Sequence, residues 1–348
     1  MNYMSTRKII SIVSLVLLTL LIFVSRKEII HAWELLGGVN LWILALLIPT
    51  QIIVYYSIGE MMFEYLRAKG GLRNVSRATL TRMALELNFV NHLLPSGGVS
   101  GISYMTWRFG LIGVSPARGT MAQLVRYIVG FLSYLVLLLI AVIAITLDQG
   151  ADRMIILGSG IITTSIIFIM VFSAYIISDI ARLRGFAVWG SRVINRIVKL
   201  VTLGRKRTLV TSRKLEDFLT DLHRDYLELM KDKRILIKPF LWGLLFNIAD
   251  TAMFWIGFWS LGASVNPAAI ILGYGIASFA GFILLTPGGA GGYEAIMAGV
   301  LSASGVPKET SIAAVVLVRV ILLLGTIISG YIFYQLTIMK HGKRPVKR

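Results

Sequence analysis

The chain has 348 residues, is 56% hydrophobic and carries a formal charge of +18. Soluble domains average about 45–50% apolar residues and do not string them in runs of about twenty, so composition excludes a soluble enzyme and indicates a polytopic membrane protein. The basic residues lie between apolar runs, as the positive-inside rule expects, rather than on a nucleic-acid-binding face; with no Cys, disulfides and thiolate metal sites are excluded.

In chain order, Arg7 and Lys8 precede a first apolar run over residues 9–25 and place the N-terminus in the cytoplasm. That run has no small-residue cleavage site and continues into Arg26 and Lys27, so it reads as a retained helix rather than a signal peptide. A second span covers residues 41–59, with a kink expected at Pro49. The following loop carries Arg67, Lys69, Arg73 and Arg77 against Glu64 and reads as cytoplasmic. Residues 78–110 re-enter the membrane with Arg82, Glu86, Asn88, Asn91 and His92, too polar a set to face lipid. The run LLPSGGVSG at 93–101 stops the helix there, and Arg108 closes the short segment that follows. With basic residues at both ends, 78–110 predicts a hairpin of two half-helices that enters and leaves from the cytoplasm.

Spans at 119–147 and 154–178 follow, joined by an extracytoplasmic turn. The loop 179–238 holds fifteen Lys/Arg against seven Asp/Glu, the strongest cytoplasmic marker in the chain. Phe186, Trp189, Val193, Ile197 and Leu200 recur at helical spacing opposite Arg192, Arg196 and Lys199, which suits a helix lying in the headgroup layer. Leu215, Phe218, Leu219, Leu222, Tyr226 and Leu229 mark a second amphipathic helix. These two form either a packed cytoplasmic girdle or a docking site for anionic lipid. Residues 240–261 form the next span, with Asp250 nearer its outer end. The chain then descends through 270–285, breaks at TPGGAGG, climbs from Glu294 to an outer loop at Pro307, and closes with a span at 311–338 and a basic cytoplasmic tail at 340–348. The whole is a single all-α transmembrane domain: a first half (1–178), the basic loop (179–238), a second half (239–339) and the tail.

Two stretches fit L-L-x-x-G-G-x-x-G, at 93–101 and 284–292, and each is followed by LVR, ending at Arg126 and at Arg319. The charge rule makes the first broken hairpin open inward and the second outward, the pattern of an inverted-topology repeat whose breaks meet near mid-membrane. Gly97, Gly98, Gly288 and Gly289 free backbone amides there, and a guanidinium offers a planar fork that matches phosphate. The candidate substrate-binding set is therefore Arg126, Arg319, Glu294 and Glu86, these four glycines, and Asn88 and Asn91 as polar company. Glu294 would neutralise a cationic headgroup amine. The competing reading is that these charges only pair with one another and lock the repeats together. No catalytic constellation, metal spacing or cofactor motif is present: HExxH, the P-loop, DxD and GxSxG are all missing from the sequence.

LLPSGGVSG with its downstream LVR, and TPGGAGGYE with Arg319, resemble the transmembrane domain of bacterial lysylphosphatidylglycerol synthase/flippases over essentially the whole chain. The resemblance implies a translocator in the cytoplasmic membrane with both termini inside. Its cargo would be an anionic or aminoacylated phosphatidylglycerol-type phospholipid. In that family a separate cytosolic domain performs the aminoacyl transfer; here the chain ends ten residues after the last span, so no lysyltransferase activity and no cofactor are expected. The rival functions are a secondary transporter for a small soluble anion or amino acid, and an accessory subunit that holds a lipid-modifying enzyme on the basic loop. A homodimer is compatible with all three.

Overall fold

The computed structural model describes residues 14–20, 22–23, 25–72, 74–93, 99–148, 153–201, 212–283 and 291–341, and among these the regular structure is all helical, joined by short turns, with no strand. Both glycine-rich breaks, at 94–98 and 284–290, lie outside the described residues, and with them Gly97, Gly98, Gly288 and Gly289. Of the expected first span only its second half is described, as helical residues at 14–20 and 22–23.

Thirteen α-helices follow. Arg26–Leu35 (α1) was not expected from the sequence, which left this region as an outer loop. Leu41–Leu44 (α2) and Leu47–Ala68 (α3) are two pieces of the expected second span. Asn40 starts α2 by accepting the amides of Trp42 and Ile43 on its side chain. The interruption at Ala45 and Leu46 is the expected kink. Pro49 has no amide to give to the carbonyl four residues back, and its ring crowds that carbonyl, so the helix is broken at Ala45.

Arg77–Leu93 (α4) and Val99–Gly110 (α5) are the limbs expected at 78–110. Pro116–Asp148 (α6) and Arg153–Ile177 (α7) follow, then Ile180–Val201 (α8) and Ser212–Lys231 (α9), which confirm both amphipathic helices. Ile237–Ser260 (α10), Pro267–Ile283 (α11), Gly292–Ala303 (α12) and Lys308–His341 (α13) complete the chain. Pro116 and Pro267 open their helices at the one position where a missing amide costs nothing. Among the described residues five stretches are long and apolar enough to cross a membrane: Leu41–Ala68, Pro116–Ala144, Leu157–Ile177, Lys233–Ser260 and Lys308–His341.

The two halves use matching parts. A helix pair of 17 and 12 residues, α4 and α5, precedes the 33-residue α6; another pair of 17 and 12, α11 and α12, precedes the 34-residue α13. In each pair the second helix packs back along the first. The stops match too. Gly113 (φ 84°) ends α5 with the Val114 amide on the Phe109 carbonyl, and Gly305 (φ 88°) ends α12 with the Val306 amide on the Leu301 carbonyl. Only glycine takes such a φ without strain, and the reversed turn satisfies carbonyls that the helix end would orphan.

The centre is a four-helix packing of α3, α6, α10 and α13, with α3 against α10 the most extensive pairing. The first helix of each pair then packs against the long helix of the opposite half, α4 on α13 and α11 on α6, while the second, α5 or α12, packs on the long helix of its own half. Small residues permit the close approaches, as is usual where lipid offers no hydrophobic drive between helices. A Cβ on Gly257 of α10 would stand 2.2 Å from Val318 of α13, and one on Gly330 of α13 would stand 2.5 Å from Phe89 of α4. Asn247, 3% exposed, pins α10 to α6 through bonds from its amide to the Gly130 carbonyl (3.0 Å) and the Ser133 hydroxyl (2.8 Å).

Candidate functional site

Two polar cavities lie along the seam between α4 and α13. The first, of about 280 Å³, is lined by Asn88 and His92 of α4, Gln51 and Tyr55 of α3, Asp250 of α10, Tyr274 and Ser278 of α11, Tyr293 and Glu294 of α12, and Arg319 and Thr326 of α13. At about 30 Å³ of liquid per water it would hold roughly nine waters, the scale of a lipid headgroup or a small solute. Arg319 donates from Nε to Glu294 Oε1 at 2.9 Å, and its guanidinium lies 4.2 Å from the centre of the Tyr293 ring. The other carboxylate oxygen of Glu294 is buried and has no hydrogen-bond partner. A short bond from the Tyr274 hydroxyl holds Asp250. By formal charge, two carboxylates stand against one guanidinium in this lining. Asn88 and His92 are tied back along α4, Asn88 Nδ2 to the Ala84 carbonyl and His92 Nδ1 to the Asn88 carbonyl, both at 2.9 Å, while Gln51 and Tyr55 bond across to the Leu322 carbonyl and the Thr326 hydroxyl of α13.

The second cavity, of about 270 Å³, lies toward the N-terminal end of α4 and the C-terminal end of α13. Its polar lining is Thr79, Arg82, Glu86, Arg108, Thr337, Lys340 and His341. Glu86, 1% exposed, accepts from Arg108 Nε and the Tyr104 hydroxyl at 2.9 Å each, and from the Thr337 hydroxyl at 2.6 Å. Three cations face one carboxylate here, so this cavity is net positive where the first is net negative. Between the two lies an apolar seam of Leu18, Phe89, Val90, Leu93 and Ile327, flanked by Tyr104, Leu323, Tyr331 and Tyr334. Phe89 packs on Tyr331 and Tyr334 at 5.6 and 5.3 Å, and Tyr334 packs on Tyr104 at 5.5 Å.

The structure thus brings Arg319, Glu294 and Asn88 together in one cavity and puts Glu86 in the other. Glu86 pairs with Arg108, which the sequence analysis treated only as a hairpin end marker, and not with Arg126. Arg126 is 8% exposed and lies 4.3 Å from the Tyr127 ring; no carboxylate pairs with it among the described residues, and its Nε has no hydrogen-bond partner. Asn91 stands apart from both cavities, with its side-chain oxygen buried and unpartnered against Gly101. Asp250, in the half of α10 nearer its outer end, lines the first cavity together with Glu294 and Arg319. Gln51, Tyr55, Tyr274 and Tyr293 join the lining without any sequence signal, since a lone tyrosine or glutamine in an apolar run reads as packing. Among the described residues no group of three His, Asp or Glu gathers as a metal site would require.

No curated protein and no solved structure gives a significant match to the chain. The family model described as Lysylphosphatidylglycerol synthase TM region matches residues 9–330, and the chain belongs to that family.

Proposed function

We propose that the protein is a phospholipid translocator rather than an enzyme, and that it carries an anionic or aminoacylated phosphatidylglycerol-type headgroup past the α4–α13 seam. The observation that carries this reading is the pair of oppositely charged cavities on one helix seam, separated by an aromatic layer, within a membrane domain of this family. A headgroup phosphate suits the cationic cavity of Arg82, Arg108 and Lys340, where guanidinium forks match its oxygens. An amine suits the first cavity, where the unpartnered oxygen of Glu294 and the carboxylate of Asp250 can accept it. We further propose that the matching halves form an inverted-topology repeat, with both termini cytoplasmic. The matching helix lengths support it, as do the paired glycine stops and the packing of the first limb of each pair on the long helix of the other half.

The test is leaflet exchange of labelled phospholipids in proteoliposomes, with anionic, zwitterionic and aminoacylated headgroups compared. Headgroup-selective exchange by the parent, lost in both Glu294→Gln and Arg319→Ala, is the expected result. Folded protein that exchanges no lipid under any imposed gradient overturns the reading. The first cavity's volume also admits a small soluble amino acid or anion, and uptake of such a solute without lipid exchange would establish that second reading instead.

A further inference from the structure

Helix α8 is set apart from both cavities and its exposed face is unusual in composition. Leu183, 6% exposed, turns into the core, whereas Phe186 and Trp189 are 44% and 55% exposed. On a helical projection most of the apolar side chains occupy one half of the helix, with Val188 the exception on the polar half and Arg182 at the edge of the apolar one. Arg192 and Arg196 fall together on the other half, and Trp189 stands at the border. In water such a face would leave two large aromatic side chains exposed without a partner.

The structure shows where this face leads. Phe168 and Phe172 of α7 stack at 5.9 Å and are 66% and 45% exposed, as hydrocarbon-facing side chains of a spanning helix are. Phe186 meets Phe172 edge to face at 6.5 Å, and Trp189 packs on Phe186 at 5.6 Å. The apolar face of α8 therefore continues the lipid-facing surface of α7 around the corner at Asp179. A helix in that position lies along the membrane surface, with aromatic side chains at the headgroup level and cations beside the phosphates.

We propose that α8 is a peripheral receptor for anionic lipid, separate from the translocation path: Phe186 and Trp189 enter the bilayer surface while Arg192 and Arg196 bind headgroup phosphates. The charge bias of the surrounding loop, fifteen Lys/Arg against seven Asp/Glu, favours an anionic leaflet over a zwitterionic one. The helix is also wired to the bundle. It packs on α9, and α9 is held to the C-terminal end of α3 by Lys69–Glu228 (3.0 Å), Lys69 directly following that helix, and to α6 by Arg118–Asp225 (3.5 Å), so docking of α8 bears on two of the central helices. The proposal does not depend on what the cavities carry.

Two glycines make the test direct. Gly190 lies one turn beyond Phe186 and Gly185 shares the face of Arg192 and Arg196; neither has any atom within 4 Å of where a Cβ would stand, and the chain has no native Cys. The full-length chain, bearing a nitroxide at Gly190→Cys or Gly185→Cys, is reconstituted into vesicles of phosphatidylcholine alone or with one-third phosphatidylglycerol. Access of lipid-dissolved oxygen and of a water-soluble nickel complex is then measured. With phosphatidylglycerol, the Gly190 label should be reached by oxygen and shielded from nickel, and the Gly185 label should show the reverse. Arg192→Gln with Arg196→Gln should weaken docking about 25-fold, at about fivefold per cation, and restore nickel access at Gly190, whereas the double Lys variant should keep the shielding. A Gly190 label open to nickel in phosphatidylglycerol vesicles, as on a surface reserved for a soluble protein, overturns the proposal. So does equal shielding in phosphatidylcholine and in the Gln variant, which would leave apolar contact without anionic recognition.

Discussion

Removal of the Glu86 carboxylate tests whether the second cavity is held by its charges. In Glu86→Ala the Arg108 guanidinium, whose side chain is 9% exposed, loses its ion-pair partner, and the Tyr104 and Thr337 hydroxyls lose their acceptor. Breaking a buried pair from one side costs about 3–5 kcal/mol, because the surviving charge stays desolvated. Replacing both partners by apolar residues of similar size, Glu86→Leu with Arg108→Met, removes the stranded charge and should come within about 1 kcal/mol of the parent. The assay is thermal unfolding of purified protein in nanodiscs. At about 2 °C per kcal/mol for a chain of this size, Glu86→Ala should lower the midpoint by roughly 6–10 °C and the double variant by no more than about 2 °C. Such a difference is a coupling between contacting side chains, which additivity would not give. A double variant as unstable as the two single substitutions added together would refute the pairing, as would a Glu86→Ala protein with an unchanged midpoint.

Three further outcomes follow from other parts of the molecule. Gly330→Ala places a Cβ 2.5 Å from Phe89 Cβ and 2.8 Å from the Leu85 carbonyl and should cost about 1–3 kcal/mol, whereas Gly299→Ala, with nothing within 4 Å, should be neutral or slightly stabilising; equal midpoints for the two would contradict the close α4–α13 approach. Asp225 faces Arg118, Lys69, Glu228 and Tyr65, and burial pushes its carboxyl above the usual range. The folded state therefore holds this proton where the unfolded chain has lost it, and the group's contribution to stability grows as pH falls from above the raised value toward the ordinary carboxylate range. Asp225→Asn should flatten that part of the pH profile and leave the neutral-pH midpoint equal or higher; a clearly lower one would show that the Arg118 pair outweighs burial. Single cysteines at Gly110 and Ser304, at the ends of α5 and α12, should react with impermeant thiol reagents from the cytoplasmic and the outer side respectively, and reaction from the same side would exclude the inverted arrangement.

Periodicity and charge made much of this architecture legible. The polar α4 between glycine-rich and basic boundaries announced a helix that cannot face lipid, and the 3.6-residue pattern of α8 and α9 survived intact because nothing in the core competes with it. Glu294 and Arg319 were readable because both sit at fixed distances from a break motif. The partner of Glu86 was not. Arg108 lies at the end of α5, where an arginine also serves as a topological marker, and only the fold-back of α5 on α4 distinguishes the two roles. The aromatic seam was equally hidden, since Phe89, Tyr331 and Tyr334 come from two helices distant in sequence and each is ordinary in its own segment. Helix α1 escaped notice because Arg26, Lys27 and Glu34 made its stretch resemble a loop.

The apolar layer between the cavities has an electrical consequence. In the proposed translocator, with the two cavities opening to opposite sides, water entering them would carry the potential of each side inward, so the drop across the membrane would be concentrated on the layer around Phe89, Tyr331 and Tyr334. A charged group crossing that layer would then traverse most of the voltage in one step, exchanging about 2.3 kcal/mol per elementary charge per 100 mV. The same layer would act as the insulator that keeps two hydrated chambers from short-circuiting the gradient.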